Sequence, residues 1–125
     1  MTAVYDAGVL IAAERNDRGV WADHRARLEA GIVPVTTAPV AAQVLRSPHQ
    51  VQLRRLLRGC EIVAFGPEQA EQVGSLLARA KASDVVDAHI VLTAAKTGST
   101  VVTSDVEDLE RLSKALPQPI AIRRV

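Results

Sequence analysis

The segment SDVVDAHIVLTAAKTGSTVVTSDVED, residues 83–108, decides the fold of this chain. Asp84 and Asp87 stand at the start of an apolar run, where Ser-Asp is a typical N-cap signal, so both carboxylates are predicted in the first turn of a helix. A Thr-Gly pair ends that helix, and residues 100–103 form a short apolar strand with Asp105 just beyond it. The segment therefore predicts half of an α/β unit with carboxylates at both turns.

The amino-terminal residues repeat this arrangement. Residues 2–5 are β-prone, Asp6 follows them directly, and residues 7–13 have the pattern of a helix. The carboxyl ends of parallel strands lie at the same edge of a sheet, which is where α/β proteins gather their chemistry. If the two strands are neighbours, Asp6 and Asp105 are therefore predicted to converge.

The rest of the chain continues the alternation of strands and helices. Thr36 and Thr37 are predicted to cap the helix that carries Gln43, with Pro39 tolerated in its first turn. We predict strands at 2–5, 32–35, 61–65, 100–103 and 120–125, and helices at 7–13, 21–30, 38–45, 47–58, 67–81, 85–97 and from about residue 105. This order predicts one α/β domain over residues 1–125, a short parallel sheet of about five strands flanked by helices.

The composition is consistent with such a domain. Of the 125 residues 48% are hydrophobic, yet the only aromatic residues are Tyr5, Trp21 and Phe65, so the core is aliphatic and suits helices packed on a buried parallel sheet. The single Cys60 excludes an internal disulfide and reads as a small buried hydrophobe. Without a signal peptide or an apolar run of about 18 residues, we expect a soluble cytoplasmic protein with no membrane partner.

The charges are unevenly distributed, although the formal net charge is only +1. Residues 30–60 contain no acid, whereas residues 82–110 contain acids and a single base, Lys96. The bases of the first region are Arg46, Arg54, Arg55 and Arg58. This asymmetry suits a polyanion such as RNA held by one region and metal ions held by the other. The arginines have an equally good alternative explanation as a solvated helix face.

The acids at the predicted turns form a candidate metal site. Asp6, Asp84, Asp87 and Asp105 would repel one another unless a cation lies among them. Mg²⁺ or Mn²⁺ fits this set because the ligands are hard oxygens and the chain has no cluster of Cys or His for zinc. Such a site can activate water for a phosphoryl displacement. Taken singly, each helix-start acid is also explained by capping or by the helix dipole.

Three segments carry a resemblance to a known family: VYDAGVLIA (4–12), DVVDAHIVLTA (84–94) and VVTSDVEDL (101–109). In this order they resemble PIN-domain ribonucleases, specifically the VapC toxins of bacterial VapBC toxin–antitoxin pairs. The resemblance implies a three-layer sandwich and Mg²⁺- or Mn²⁺-dependent hydrolysis of RNA. It also implies a homodimer held by a cognate VapB-type antitoxin.

The same resemblance assigns site residues. Asp6, Asp87 and Asp105 match the family's catalytic, metal-binding acids, and Ser104 and Asp108 lie where a supporting contact to metal or water is expected. Asp84, one turn before Asp87, is a further metal ligand by spacing. Which RNA is cut does not follow from these residues.

One position departs from the family pattern. In TTAPVAAQVLR (36–46) the residue that matches the usual Glu is Gln43, which can orient a water or ligate a metal but adds no negative charge. Asp84 would supply the missing charge. The alternative function is a PIN-like binding module with weakened or lost catalysis, acting through antitoxin or RNA. A response-regulator-like reading is disfavoured because its phospho-acceptor Asp is replaced by Phe65-Gly66 at the end of the third strand.

Overall fold

The computed structural model describes residues 2–125 as a layer of parallel strands between two layers of helices. Its elements are β1 Ala3–Tyr5, α1 Ala7–Glu14, α2 Arg18–Glu29, β2 Val35–Thr37, α3 Ala38–Val44, α4 Val51–Arg58, β3 Glu61–Val63, α5 Pro67–Ala80, α6 Val85–Thr97, β4 Thr100–Thr103, α7 Val106–Ser113 and β5 Ile122–Arg124. No helix in this range is long and apolar enough to cross a membrane.

The strands form one parallel sheet in the order β3-β2-β1-β4-β5. β1 lies at its centre and pairs with β4, with Tyr5 opposite Val102. α1 packs on β1 and β4 together with α3 and α4, whereas α6 packs on β1, β2 and β4 together with α5 and α7. The predicted fold class, a five-stranded parallel sheet flanked by helices, is confirmed.

An aliphatic core holds these layers together. Val4, Leu10, Leu53, Val91 and Val101 are fully buried where the helices meet the sheet. Small β-branched and aliphatic side chains of this kind allow helices to approach a sheet that is covered on both faces. The near absence of aromatic residues in the sequence is therefore a consequence of this close packing.

α6 begins and ends where the sequence predicts. The Oδ1 atom of Asp84, the N-cap, accepts a hydrogen bond from the N–H of Asp87 at 2.9 Å. Gly98 ends the helix in the left-handed conformation, with φ at 64°, which glycine adopts without steric cost.

The second strand is shifted from its predicted position. It was expected at 32–35, but β2 spans Val35–Thr37. Pro34 has no N–H to give to the ladder, so only its carbonyl takes part, accepting from the N–H of Glu61 at 2.9 Å. Thr37 still caps α3, because its Oγ1 accepts from the N–H of Val40 at 3.2 Å.

Two helices start at positions other than those predicted. The helix expected from residue 47 begins only at Val51, because the Gln50 side chain accepts hydrogen bonds from two preceding N–H groups and holds the chain in a turn. The helix expected from residue 21 begins at Arg18, because Asp17 caps it by accepting from the N–H of Val20 at 3.0 Å.

Three elements are shorter than predicted. β3 ends at Val63 rather than at Phe65, since the three residues of β2 leave no partner beyond that point. β5 is limited to Ile122–Arg124 opposite the last residues of β4. The last helix was predicted to carry Leu109, Leu112 and Leu116 on one face, but α7 ends at Ser113, so Leu116 packs against the core from the following turn.

Candidate active site

Asp6 is a buried carboxylate at the end of the central strand. Its side chain is only 5% exposed, and its backbone N–H donates to the carbonyl of Val102 at 3.0 Å, which extends the β1–β4 pairing by one residue. The Asp6 Oδ2 atom accepts a hydrogen bond of 2.7 Å from Thr103 Oγ1. A buried carboxylate that is held in one orientation is the first component of the site.

Thr103 joins the ends of the two strands. Its buried hydroxyl donates to Asp6 and at the same time accepts from the backbone N–H of Asp105 at 2.9 Å. The expectation that Asp6 and Asp105 lie at one edge of the sheet is therefore met. The sequence reasoning did not single out Thr103, although a hydroxyl residue at the end of an apolar strand, just before an acid, was a usable signal.

Asp87 is the acid whose pKa is raised by the other four carboxylates of the group. It is half-buried in the first turn of α6, and burial raises its pKa from 3.8 to about 7, with further contributions from the negative charges of Asp84, Asp6, Asp105 and Asp108. Each of these carboxylates is therefore close enough for its charge to act on Asp87. The helix dipole acts in the opposite direction, but it does not prevent this rise.

The acids do not yet form a closed coordination shell. Within residues 2–125 no three acidic, His or Cys side chains are arranged so that they could hold one metal ion together. Coulombic effects extend well beyond ligand distances, so this finding agrees with the mutual influence of the charges on Asp87. By its chemistry, a set made only of carboxylate oxygens fits a hard divalent cation such as Mg²⁺ or Mn²⁺.

An open cleft of about 400 Å³ lies beside these acids. Its walls include Asp84, Asp87 and Asp108, and two cationic residues, Lys81 and Arg111, also line it. A larger cavity of about 730 Å³ lies along α5 and the second half of α6 and contains none of these acids. We place the site at the smaller cleft because three of the acids line it; Asp6 and Asp105 do not line it, although their charges act on Asp87.

The proposed supporting residues differ in their positions. Ser104 is exposed in the β4–α7 turn, and a Cβ added at Gly8 would come within 2.6 Å of its Oγ, so only glycine allows α1 to pack this closely. Asp108 lines the cleft in the first turn of α7. Gln43 is exposed near the end of α3 and does not line the cleft.

The arginines predicted to bind RNA lie apart from the cleft. Arg54 donates to the carbonyl of Ser47, and Arg55 lies 5.1 Å from the centre of the Trp21 ring. Arg46 donates to the carbonyls of its own helix end, and Arg58 is exposed at the end of α4. Much of this group therefore has a structural role in the α3–α4 region, and RNA binding by it stays a prediction.

The histidines lie outside the acidic site. His24 is buried with its Nδ1 atom 3.0 Å from the hydroxyl of Tyr5, which also accepts from Arg27 at 3.1 Å. Burial lowers the pKa of His24, as does the charge of Arg27. His89 is buried against Phe65, edge to face at 4.9 Å. Both are core groups, as the absence of ligand spacing in the sequence indicates.

Comparison with known proteins identifies the fold and the family. The sequence profile of the PIN domain matches residues 3–115. A chain of VapBC2 from Rickettsia felis, bound to a DNA fragment from its promoter, superposes with a TM-score of 0.71 at 16% identity, covering 100% of this chain and 99% of that one. FitAB bound to an IR36 DNA fragment superposes with a TM-score of 0.66 at 18% identity, covering 98% of this chain and 94% of that one. FitAcB from Neisseria gonorrhoeae superposes with a TM-score of 0.64 at 17% identity, covering 97% of this chain and 96% of that one. No curated protein matches significantly.

Proposed function

Because the chain belongs to the PIN domain family, we propose that it is a metal-dependent endoribonuclease that hydrolyses RNA phosphodiester bonds. PIN domains are generally nucleases, and the acidic cleft gives this chain a place for that chemistry. The observation that supports the proposal is the Thr103 hydroxyl, which donates to the Asp6 carboxylate and accepts from the backbone N–H of Asp105, and so joins the two strand ends that carry these acids.

Asp6, Asp87 and Asp105 would hold Mg²⁺ or Mn²⁺ in this site. Asp84, whose Oδ1 caps α6, would add a further carboxylate ligand. The ion would activate water and stabilise the charge that develops at phosphorus during an in-line displacement. The protein's own contribution is to fix the Asp6 carboxylate through Thr103 and to hold Asp87 at the start of a buried helix. In the overall reaction the oxygen of water bonds to phosphorus, one P–O ester bond breaks, and a proton goes to the leaving oxygen.

The decisive experiment is RNA cleavage by the purified protein with Mn²⁺, with Mg²⁺ and with EDTA. Each of Asp6→Asn, Asp87→Asn and Asp105→Asn removes an anionic ligand while keeping the side-chain shape, so activity should fall by orders of magnitude. Glu110→Gln, on the exposed side of α7, is the matched control and should cleave like the wild type. Cleavage by Asp105→Asn at the wild-type rate would falsify the assignment.

We further propose that the protein acts in the cytoplasm as the toxin of a toxin–antitoxin pair. Support comes from the structural similarity to VapBC2 and FitAB, both of which are complexes bound to DNA. A cognate VapB-type antitoxin would neutralise the nuclease, and the toxin would form a homodimer. Growth arrest on expression, relieved by co-expression of a cognate VapB-type antitoxin and absent for Asp105→Asn, tests this. The mass of the purified protein in solution tests the dimer.

The second candidate is a binding module with weakened catalysis. The observation that favours it is that, within residues 2–125, no three potential ligands are already arranged for a metal ion, and Gln43 adds no charge. Mn²⁺ titration by calorimetry separates the two functions. Binding together with cleavage supports the nuclease, whereas RNA or antitoxin binding without metal uptake supports the module.

A further inference from the structure

The acidic cleft has a cationic rim that the proposed chemistry does not use. Lys81 and Arg111 line the same cleft as Asp84, Asp87 and Asp108, and both are exposed. The ion pairs found within residues 2–125 join Arg123 to Asp23 and Arg124 to Glu107, so neither rim cation is paired with a carboxylate. The two rim cations are therefore available to an anion from solution.

The rim cations also leave the acids unneutralised. No ion pair within residues 2–125 involves Asp84, Asp87 or Asp108, so the positive side chains of the rim do not neutralise these acids. Lys81 ends α5 and Arg111 belongs to α7, whereas Asp84 and Asp87 lie at the start of α6. A polyanion that enters such a cleft is repelled by these acids unless a metal ion is bound, whereas Lys81 and Arg111 attract its flanking phosphates.

The backbone of Lys81 gives an independent reason to consider this residue. It ends α5 in the left-handed conformation, with φ at 54° and ψ at 48°. Helices usually place glycine at this position because a Cβ is disfavoured there. A lysine at a glycine position forgoes local stability, and such departures are common at functional sites.

We propose that Lys81 and Arg111 bind the RNA phosphates that flank the scissile phosphodiester, with Lys81 contributing from the end of α5 and Arg111 from α7. This inference rests on the proposed function, because it concerns the substrate of the same cleft. The two residues lie on different elements that both line the cleft, so they can contact two different phosphates of one RNA strand. Arg111 offers a planar fork of donors, and Lys81 a single mobile charge.

The test is RNA binding measured over a range of salt concentrations. A fluorescein-labelled single-stranded RNA of mixed sequence is titrated by anisotropy in Mn²⁺, with every protein carrying Asp105→Asn so that the RNA stays intact. Lys81→Gly and Arg111→Gln should each lower the slope of log affinity against log salt by about 0.7, and the double variant by about 1.4. Lys81→Arg should restore the parent slope. Lys114→Gln, an exposed cation at the end of α7, removes the same charge and should leave the slope unchanged.

Stability provides a second readout. Lys81→Gly relieves the disfavoured backbone, so its melting temperature should equal or exceed that of the parent while its RNA affinity falls. A merely structural role for Lys81 would instead lower both. Slopes for Lys81→Gly and Arg111→Gln equal to that of Lys114→Gln, or no RNA binding by the parent at any salt concentration, overturn the proposal.

RNA cleavage by the wild-type protein separates failure of the rim proposal from failure of the proposed nuclease activity. If it cleaves RNA with Mn²⁺ but the rim variants bind like Lys114→Gln, the rim proposal is wrong and the nuclease stands. If it does not cleave RNA but the rim variants show a lower slope of log affinity against log salt, the proposed nuclease activity is wrong and the cleft is an RNA-binding site.

Discussion

Replacing Asp87 by Asn should stabilise the metal-free protein. The rise in the Asp87 pKa from 3.8 to about 7 would correspond to about 4 kcal/mol at about 1.4 kcal/mol per pKa unit. Asp87 is only half-buried, and solvent screens its charge, so we reduce this to about 2 kcal/mol. Asn keeps the side-chain shape and removes the charge that burial and four neighbouring carboxylates disfavour.

The gain should depend on pH in a defined direction. Between pH 4 and 7 the folded protein keeps the Asp87 proton that the unfolded chain has lost, so the stability of the wild type falls as pH rises through this window. Below about pH 4 both states bind the proton, and the difference from Asp87→Asn disappears. Above about pH 7 both states have lost it, and the difference reaches its full value.

Urea denaturation in EDTA buffers at pH 4.5, 6 and 8 measures this difference. Glu110→Gln is the matched control, because it removes one charge from an exposed position on α7. Its difference from the wild type should stay small at every pH. Two results would contradict this reasoning: an Asp87→Asn variant that is less stable than the wild type at pH 8, or one that is stabilised equally at all three pH values. Either would show that burial and the neighbouring carboxylates do not destabilise the ionised form of Asp87.

Other contacts give further predictions. Gly8→Ala should lower RNA cleavage by displacing the turn that precedes the last acid, and adding Ser104→Gly should restore activity, because it removes the Oγ and Cβ atoms that the new methyl group would meet. Thr103→Val should destabilise the protein by about 1–3 kcal/mol in chemical denaturation, since the buried Asp6 carboxylate loses its hydrogen-bond donor. Glu14→Ala should cost about 1 kcal/mol in the same assay, because Glu14 Oε2 accepts from a backbone N–H in the first turn of α4 at 2.7 Å; no loss would mean that water replaces this cap.

Local signals allowed the centre of the molecule to be predicted from the sequence. The cap at Asp84, the glycine at 98 and the short apolar strand after it are determined by residues close in the chain, so α6 and β4 appear where expected. The alternation of strands and helices then limits the topology, because parallel strands need helical crossovers. That the strands before Asp6 and Asp105 are neighbours was only a condition of the prediction, and the pairing of β1 with β4 meets that condition.

The features that could not be predicted depend on contacts between distant residues. Arg55 stacks on Trp21 of another helix, so its charge pattern alone could not reveal that role. Likewise, the start of β2 depends on its pairing with the neighbouring strands, in which Pro34 has no backbone N–H to donate. The left-handed conformation of Lys81 has no sequence signal, because lysine is not a residue that favours it.

The pairing of β1 with β4 also determines when the acidic site can form during synthesis of the chain. The hydrogen bond between Thr103 and Asp6 joins residues 97 positions apart, and the strand before Asp6 has only β2 as a neighbour until β4 is added. A nascent chain on the ribosome therefore carries Asp6 long before it can assemble the acidic site. Contacts of such long range also form late and slowly in folding. Under the proposed function, a partly synthesised or truncated chain that ends before residue 100 is expected to leave the RNA around it uncleaved, ribosomal RNA included.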